Sequence, residues 1–356
     1  ETHRLVEFRQ AMTRGVILIN VGTPDEPTTG AVRRYLKEFL LDPDVIDIPT
    51  PFRHMLVRGI ILNFRPRKVA PRYASIWMEQ GSPLRVYTQR ICDALNTNNE
   101  DIIFEVGMRY GNPSIRDALE RLRKNGVTKL LIAPLYPHHA QSTTETSLKH
   151  TYLELKRMKW EPLCQELGDF PVNSGFIGPL ANSIRPHMNE NSHLLFSYHG
   201  LPLSHIRRVD KTGKHCLSER CCETSVDANR KCYAHQCMMT SMAVANALDL
   251  NRERWSHSYQ SRLGPVKWLT PATTTTVEEL AKMGVKDLVI VSPAFVADGL
   301  ETLEELEIEI RGEFIEAGGE TLHVVQCLND REDWISGLSN LVVNAFENTQ
   351  LPQMTQ

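Results

Sequence analysis

Four short apolar runs, each closed by a turn containing glycine or proline, set the limits on what this chain can fold into. They are Val16-Ile17-Leu18-Ile19-Asn20 before Val21-Gly22-Thr23-Pro24, and Lys129-Leu130-Leu131-Ile132-Ala133-Pro134 before Leu135-Tyr136-Pro137. The later two are Leu194-Leu195-Phe196-Ser197-Tyr198 before His199-Gly200-Leu201-Pro202, and Leu288-Val289-Ile290-Val291-Ser292 before Pro293-Ala294-Phe295. Continuous apolar runs of this length fit strands buried on both faces, as in parallel sheets covered by helices. Residues 117–124 and 277–283 are suited to crossover helices, and each is followed by a Gly-Val pair that ends the helix and leads into the next strand.

The same spacing in both halves predicts an α/β fold of two similar units, with the change-over near residues 175–190. The boundaries taken are 1–180 for the first unit, with an apolar lip, and 181–330 for the second. Residues 331–356 form a closing helix and tail, with Trp334, Leu338, Leu341, Val342 and Ala345 at helical spacing and a loose end after Thr349. In open α/β sheets ligands bind beyond the carboxyl ends of the strands. All four turns lie at such ends, so they are expected to face one central cleft.

The chain has 356 residues, enough for two cores, and its 41% apolar and 23% charged content is that of a globular protein. A net charge of −3 gives no argument for a nucleic-acid partner. No apolar run is long enough to span a bilayer. The best stretch, Met55-Leu56-Val57-Arg58-Gly59-Ile60-Ile61-Leu62, is short and interrupted by an arginine, which suits an apolar lip or a shallow membrane contact. Glu1-Thr2-His3-Arg4 does not read as a secretory signal. Five of the eight cysteines fall within one short stretch rather than in a disulfide framework, so the expectation is reduced thiols in the cytoplasm, and the apolar stretch adds peripheral contact to the inner membrane.

Three groups carry chemistry. His199 stands where a strand meets a turn; a structural role and a proton-accepting role are both open to it. The absence of a Gly-x-Ser-x-Gly elbow leaves a serine-hydrolase reading without support. Glu301, Glu305 and Glu309 are spaced four apart and form one acidic stripe on a helix. That stripe is either a solvated face or, because it begins just past a strand's carboxyl end, a row able to pass a hard divalent cation inward. Adjacent His138 and His139 point apart on extended backbone and are expected at the surface or in support of other residues.

The third group is Cys216, Cys221, Cys222, Cys232 and Cys237, five thiols within residues 216–237. The tight Cys-x-x-Cys pairs of zinc knuckles are missing. The gaps allow a looped [2Fe–2S] site with four thiolates, and a non-binding cysteine-rich loop is the plainer alternative. The ligand set taken is Cys216, Cys222, Cys232 and Cys237, with Cys221 the alternative to its neighbour Cys222.

In combination the chain resembles ferrochelatase, from Gly15 to about Phe346. The motifs that carry the resemblance are Asn20-Val21-Gly22-Thr23-Pro24, Arg33-Arg34-Tyr35-Leu36, Gly81-Ser82-Pro83-Leu84, Gly107-Met108-Arg109-Tyr110 and Ser142-Thr143-Thr144. Further along come Ser197-Tyr198-His199-Gly200-Leu201-Pro202, Ser261-Arg262-Leu263-Gly264-Pro265 and the run from Phe295 to Glu305. The segment from Leu40 to Tyr87 looks like the protoporphyrin-using bacterial form.

The resemblance implies two Rossmann-like domains around a porphyrin cleft and insertion of Fe2+ into protoporphyrin IX, the terminal step of haem biosynthesis. It assigns the family's catalytic histidine to His199 and the metal-site glutamate to Glu301, with Glu305 and Glu309 continuing the acidic path. It assigns porphyrin contacts to Asn20, Arg65, Tyr73, Arg109, Tyr136, Ser261 and Trp268. Two departures stand out. Many relatives carry a second histidine where this chain has Gly299, and the family's short Gly-Asp-Pro-Tyr turn is replaced by residues 211–237. Some bacterial relatives hold a [2Fe–2S] cluster on an internal segment of this kind.

On this reading the carboxylates replace iron-bound water stepwise, and His199 accepts a pyrrole proton; a direct iron-ligand role for His199 is equally allowed by its chemistry. Met55, Leu56, Ile60, Ile61, Leu62 and Trp77 are available to wall a flat apolar ring. The competing functions are insertion of another metal such as cobalt, use of coproporphyrin, and a non-catalytic haem- or iron-binding protein. Gly299 argues against the paired metal histidines of cobalt relatives.

Overall fold

The computed structural model describes residues 13–262 and 266–347; Glu1-Thr2-His3-Arg4, Leu263-Gly264-Pro265 and the tail after Thr349 lie outside the described residues. Two four-stranded parallel sheets organise the chain. The first contains β1 (Arg14–Thr23), β2 (Ile102–Gly111), β3 (Lys129–Pro134) and β4 (Leu163–Glu166), in the order β2-β1-β3-β4. The second contains β5 (His193–His199), β6 (Trp255–Gln260), β7 (Asp287–Val291) and β8 (Thr321–Val324), in the order β6-β5-β7-β8. All four sequence-predicted runs are central strands, and every pairing is parallel.

The two orders are the same when each sheet is counted from its own first strand. In both, the chain moves from the first strand to one side and then returns to the other. That reversal opens a crevice at the carboxyl ends of β1 and β3 in one sheet, and of β5 and β7 in the other.

Both faces of each sheet are covered, as the unbroken apolar runs require. One core takes Val16 and Leu18 from β1 and continues through Leu194 and Phe196 to the closing helix Glu332–Glu347. Ile17 and Ile19 face the opposite side, against the crossover helix Ile115–Lys124. This crossover helix and its counterpart, Thr273–Lys282, begin two and four residues earlier than their hydrophobic repeats suggest. Ser114 supplies the first with a reciprocal cap to Asp117.

The closing helix buries Trp334, Leu338 and Val342, with Leu341 and Ala345 partly covered. It crosses Ser174–Ile184 so closely that a Cβ on Gly337 would lie 2.0 Å from the Gly175 carbonyl oxygen. No helix among the described residues is long and apolar enough to cross a membrane.

Candidate metal-insertion site

His199 is the last residue of β5, and the chain leaving β7 reaches Glu301 ten residues after Val291. They therefore approach one another across the crevice of the second sheet. The acidic segment Glu301–Ile310 is wound as a π-helix, wider than the α-helix its spacing suggests. Its entry, Leu300, packs against the first unit in a cluster with Tyr35, Tyr73 and Trp77. The row of glutamates thus begins at the seam between the two sheets.

Several bonds fix the carboxylates. The Ser261 amide donates to Glu305 Oε1 at 2.9 Å, and its hydroxyl makes a close bond to Glu305 Oε2. Ser261 adopts φ +60, an unusual conformation for a non-glycine residue. Burial lifts the Glu305 carboxyl above the ordinary carboxylate range; the Ser261 hydroxyl and the nearby charge of His199 oppose that rise, and Glu301 adds to it. His199, Glu301 and Glu305 consequently share one electrostatic neighbourhood.

Gln260 joins the two sides. Its side-chain amide donates to the Glu301 main-chain carbonyl at 2.9 Å, while its Oε1 accepts from the Ser197 hydroxyl at 2.6 Å. The imidazole of His199 is oriented by its own main chain, with Nδ1 2.7 Å from the Gly200 carbonyl. Trp268 lies against Gly200, where a Cβ would stand 3.4 Å from the indole ring. A Cβ on Gly299 would stand 3.2 Å from Glu301 Oε2, so a larger residue there would press on that carboxylate.

Glu309 does not simply continue an open row. Its carboxylate is 2.5 Å from Arg72 of the lip helix Leu62–Ile76, and Arg72 also makes a close ion pair with the buried Glu304. Glu304 and Arg72 were not singled out from sequence; their partnership spans more than 200 residues and leaves no local pattern. Arg65, on the same lip helix, lies near Arg72 and Tyr73.

The ring-facing candidates of the first unit divide into two sets. Tyr73 is buried beside Tyr35 and within electrostatic reach of Glu301, and burial, then Glu301, raises its hydroxyl pKa strongly. Tyr136 is buried after β3, beside Ser147. Asn20 donates to Thr88 at 3.2 Å and accepts from the Val21 amide at 2.8 Å. Gly22 just beyond has φ +103, and a Cβ there would meet the Tyr110 carbonyl at 1.7 Å. Arg109, in contrast, spends its donors on Asp42 at 2.5 Å and Thr146 at 2.9 Å, and lines a separate hollow with Lys37, Lys149 and His150.

Of the two places open to His138 and His139 from sequence, the surface is excluded, and both bond to other side chains instead. They are 2% and 6% exposed. His138 bonds Thr240 at 2.8 Å, and His139 stands between Glu145 and Asp169 at 3.2 and 3.4 Å. The chain bends at Pro137 and His138, and both rings are buried.

The five thiols gather on one side of the second sheet. Cys221 and Cys222 have sulfurs 3.8 Å apart, and Cys216 lies beside Cys232. Burial, followed by the neighbouring Cys232, pushes the Cys216 thiol up to about 12. Burial and then nearby Cys221, Cys232 and Cys216 raise Cys222 as well, while Cys237 is fully buried. All five are free thiols. Adjacent thiols repel one another once they ionise, and a bound positively charged group would relieve that repulsion. Among the described residues no three His, Cys, Asp or Glu side chains form a ready-made site for a single ion.

The ferrochelatase family profile matches residues 13–346. The chain is 42% identical to the ferrochelatase of Stutzerimonas stutzeri (strain A1501), over 93% of this chain and 98% of that one. It is 43% identical to the ferrochelatase of Azotobacter vinelandii (strain DJ / ATCC BAA-1303), over 92% and 97%. Among solved structures, SirB from Bacillus subtilis with Fe3+ is similar in fold, with TM-score 0.52 and 12% identity, covering 94% of this chain and 96% of that one. With family and fold in agreement, this chain belongs to the ferrochelatase family, enzymes of haem biosynthesis that insert iron into a porphyrin.

Proposed function

We propose that the porphyrin substrate is protoporphyrin IX, that Fe2+ is delivered through the Glu309–Glu305–Glu301 row, and that His199 is the base. The observation that carries this reading is the shared environment of His199, Glu301 and Glu305 at the crevice of the second sheet. Iron insertion exchanges two pyrrole N–H protons for one Fe2+ without a change of oxidation state. Imidazole is suited to accept such a proton near neutral pH. Carboxylates suit hydrated Fe2+ and favour turnover by holding it loosely, since a deep ground-state well slows the next step.

Asn20, Arg65, Tyr73, Arg109, Tyr136, Ser261 and Trp268 are taken as the residues that hold the ring, Arg109 being also bonded to Asp42 and Thr146. Residues 1–180 and 181–330 are taken as the two domains, closed by residues 331–356. The exposed Phe52, Met55, Ile60 and Phe64 support a peripheral membrane contact by the lip, on a cytoplasmic protein.

Cys216, Cys222, Cys232 and Cys237 are taken as ligands of a [2Fe–2S] cluster, with Cys221 the alternative to Cys222. Such a cluster supplies a one-electron redox centre and a cross-link between the segments that hold it.

The test is an anaerobic insertion assay with Fe2+, Co2+ and Zn2+ on protoporphyrin set beside coproporphyrin. Protoporphyrin with Fe2+ is expected to give the highest kcat/KM, and faster turnover of coproporphyrin would reassign the ring. His199→Ala should lose insertion while retaining porphyrin binding. A non-catalytic haem- or iron-binding protein would show no insertion in the parent enzyme.

A further inference from the structure

Tyr233 follows Cys232 directly and opens the helix Tyr233–Ala247. Its hydroxyl donates to the main-chain carbonyl of His199 at 2.9 Å. The same helix holds the same strand end a second time: the hydroxyls of Ser241 and Tyr198 are 2.9 Å apart. Cys237, one turn into the helix, is completely buried in the core that contains Tyr198 and Tyr259. The helix that begins in the cysteine segment is therefore the floor beneath the last two residues of β5.

This arrangement matters because of how the imidazole is held. His199 Nδ1 bonds the carbonyl of the next residue, Gly200, so the ring direction follows the local main chain. A bond that fixes the His199 carbonyl fixes the base of that ring. Tyr233 is 6% exposed, and its ring packs edge-on against His138, which bonds Thr240 of the same helix.

We infer that Tyr233 is a positioning residue for the insertion reaction: it transmits the placement of the cysteine segment to His199. Cys232 stands at the start of the helix and Cys237 one turn in, so movement of those two residues moves the helix start, and the tyrosine hydroxyl carries that movement to the strand end. Disturbing the thiols thereby misdirects the imidazole without any contact between sulfur and substrate. Misplacement of a reacting group on a sub-ångström to ångström scale is enough to slow a reaction by about 10-fold or more. This inference rests on the readings of His199 as base and of the thiols as cluster ligands.

Tyr233→Phe is the test, because it removes one oxygen and leaves the packed ring. Turnover should fall about 10-fold while KM for porphyrin stays within about 2-fold of the parent, with iron and sulfide content and thermal midpoint retained. In protein labelled at histidine, the His199 imidazole resonances, assigned by their loss in His199→Gln, should shift in Tyr233→Phe. Ser241→Ala, which releases the preceding residue Tyr198 from the same helix, should move them by less than half as much.

Anaerobic removal of iron by a chelator should move these resonances in the parent protein, and by less than half as much in Tyr233→Phe. Unchanged turnover with unshifted resonances in Tyr233→Phe would overturn the inference, and so would an equal shift in Ser241→Ala, which would mean general loosening of the core. Should Tyr233→Phe not fold, resonances in the parent that ignore iron removal overturn it. A preparation without iron and sulfide rejects the cluster reading alone, leaving Tyr233 to be decided by the resonances of the variants. Full insertion by His199→Ala removes the base itself, and the positioning role with it.

Discussion

The side-chain amide of Gln260 reaches the main-chain carbonyl of Glu301 at 2.9 Å, although Gln260 closes β6 and Glu301 follows β7. Gln260 also accepts from Ser197 and is almost completely buried. It thus fixes the spacing between the strand that ends in His199 and the start of the acidic helix.

Gln260→Leu should separate those two elements. Ser197 would lose its 2.6 Å acceptor in a buried setting, at a cost of about 1–3 kcal/mol. Thermal unfolding should report a lowered midpoint, and iron insertion should drop by about 10- to 100-fold. Wild-type turnover in a destabilised variant would show that the spacing is not critical.

Arg72 supplies the outer carboxylates with a covalently attached cation, 2.5 Å from Glu309. Arg72→Gln should therefore tighten Mn2+ binding to the porphyrin-free protein, by about 5-fold if the pair behaves as a partly exposed one. Titration followed by the electron paramagnetic resonance of free Mn2+ measures this directly. Glu309→Gln should weaken the same binding, and equal affinities in all three proteins would take Arg72 and Glu309 out of the metal route.

If Glu305 loads metal as proposed, that step acquires a pH dependence of definite sign. Its carboxyl is raised by burial, so loading should weaken, as the pH falls, at values where an ordinary carboxylate is still ionised. The Ser261 hydroxyl opposes that rise, so Ser261→Ala should move the loading curve to higher pH. Co2+ binding by absorbance across pH, compared with Glu305→Gln, is the measurement. A curve that does not move in Ser261→Ala removes the bond from consideration.

The Asp42–Arg109 pair should be felt in stability rather than in metal binding. Burial alone would raise Asp42, but hydrogen bonds from Thr146, Tyr110 and the Asp44 amide, together with Arg109, hold it below the usual carboxylate range. Its stabilising contribution is fully present above the unfolded value of about 3.9 and is lost as the pH falls through the lower folded value. Asp42→Asn should cost about 3–5 kcal/mol at pH 7, as expected for one half of a buried pair. Urea unfolding at pH 7 and at pH 3 should show the variant's deficit shrinking with acidity.

Much of the architecture was legible because it is local. The apolar runs at Val16, Lys129, Leu194 and Leu288 are each only a few residues long and declare a buried parallel strand without reference to anything else. His199 and the glutamate stripe drew notice for a related reason, since His199 closes such a run and Glu301 follows ten residues beyond one, but their assignment to one site came from the ferrochelatase motifs. What stayed hidden depends on distant partners. Gln260 is one polar residue at the end of a strand, and its importance lies in Glu301, 41 residues away. Arg72 resembles any lip cation until Glu304 and Glu309 are folded against it. The burial of His138 and His139 follows from where the chain turns after Pro137, which no periodicity encodes. The π-winding of residues 301–310 was likewise unreadable, since its glutamate spacing is also that of an ordinary helix.

The shared strand order has a consequence for how substrate preferences can vary. The proposed base His199 and the carboxylate row issue from the crevice of one sheet, and Asn20 and Tyr136 from that of its counterpart. The proposed cation row is thereby confined to one stretch of chain, whereas the proposed ring contacts are shared between both sheets, Ser261 and Trp268 standing with His199 and Glu305. Exchange of the loops after β1 and β3 should retune which tetrapyrrole is accepted and leave the order of preference among divalent ions untouched.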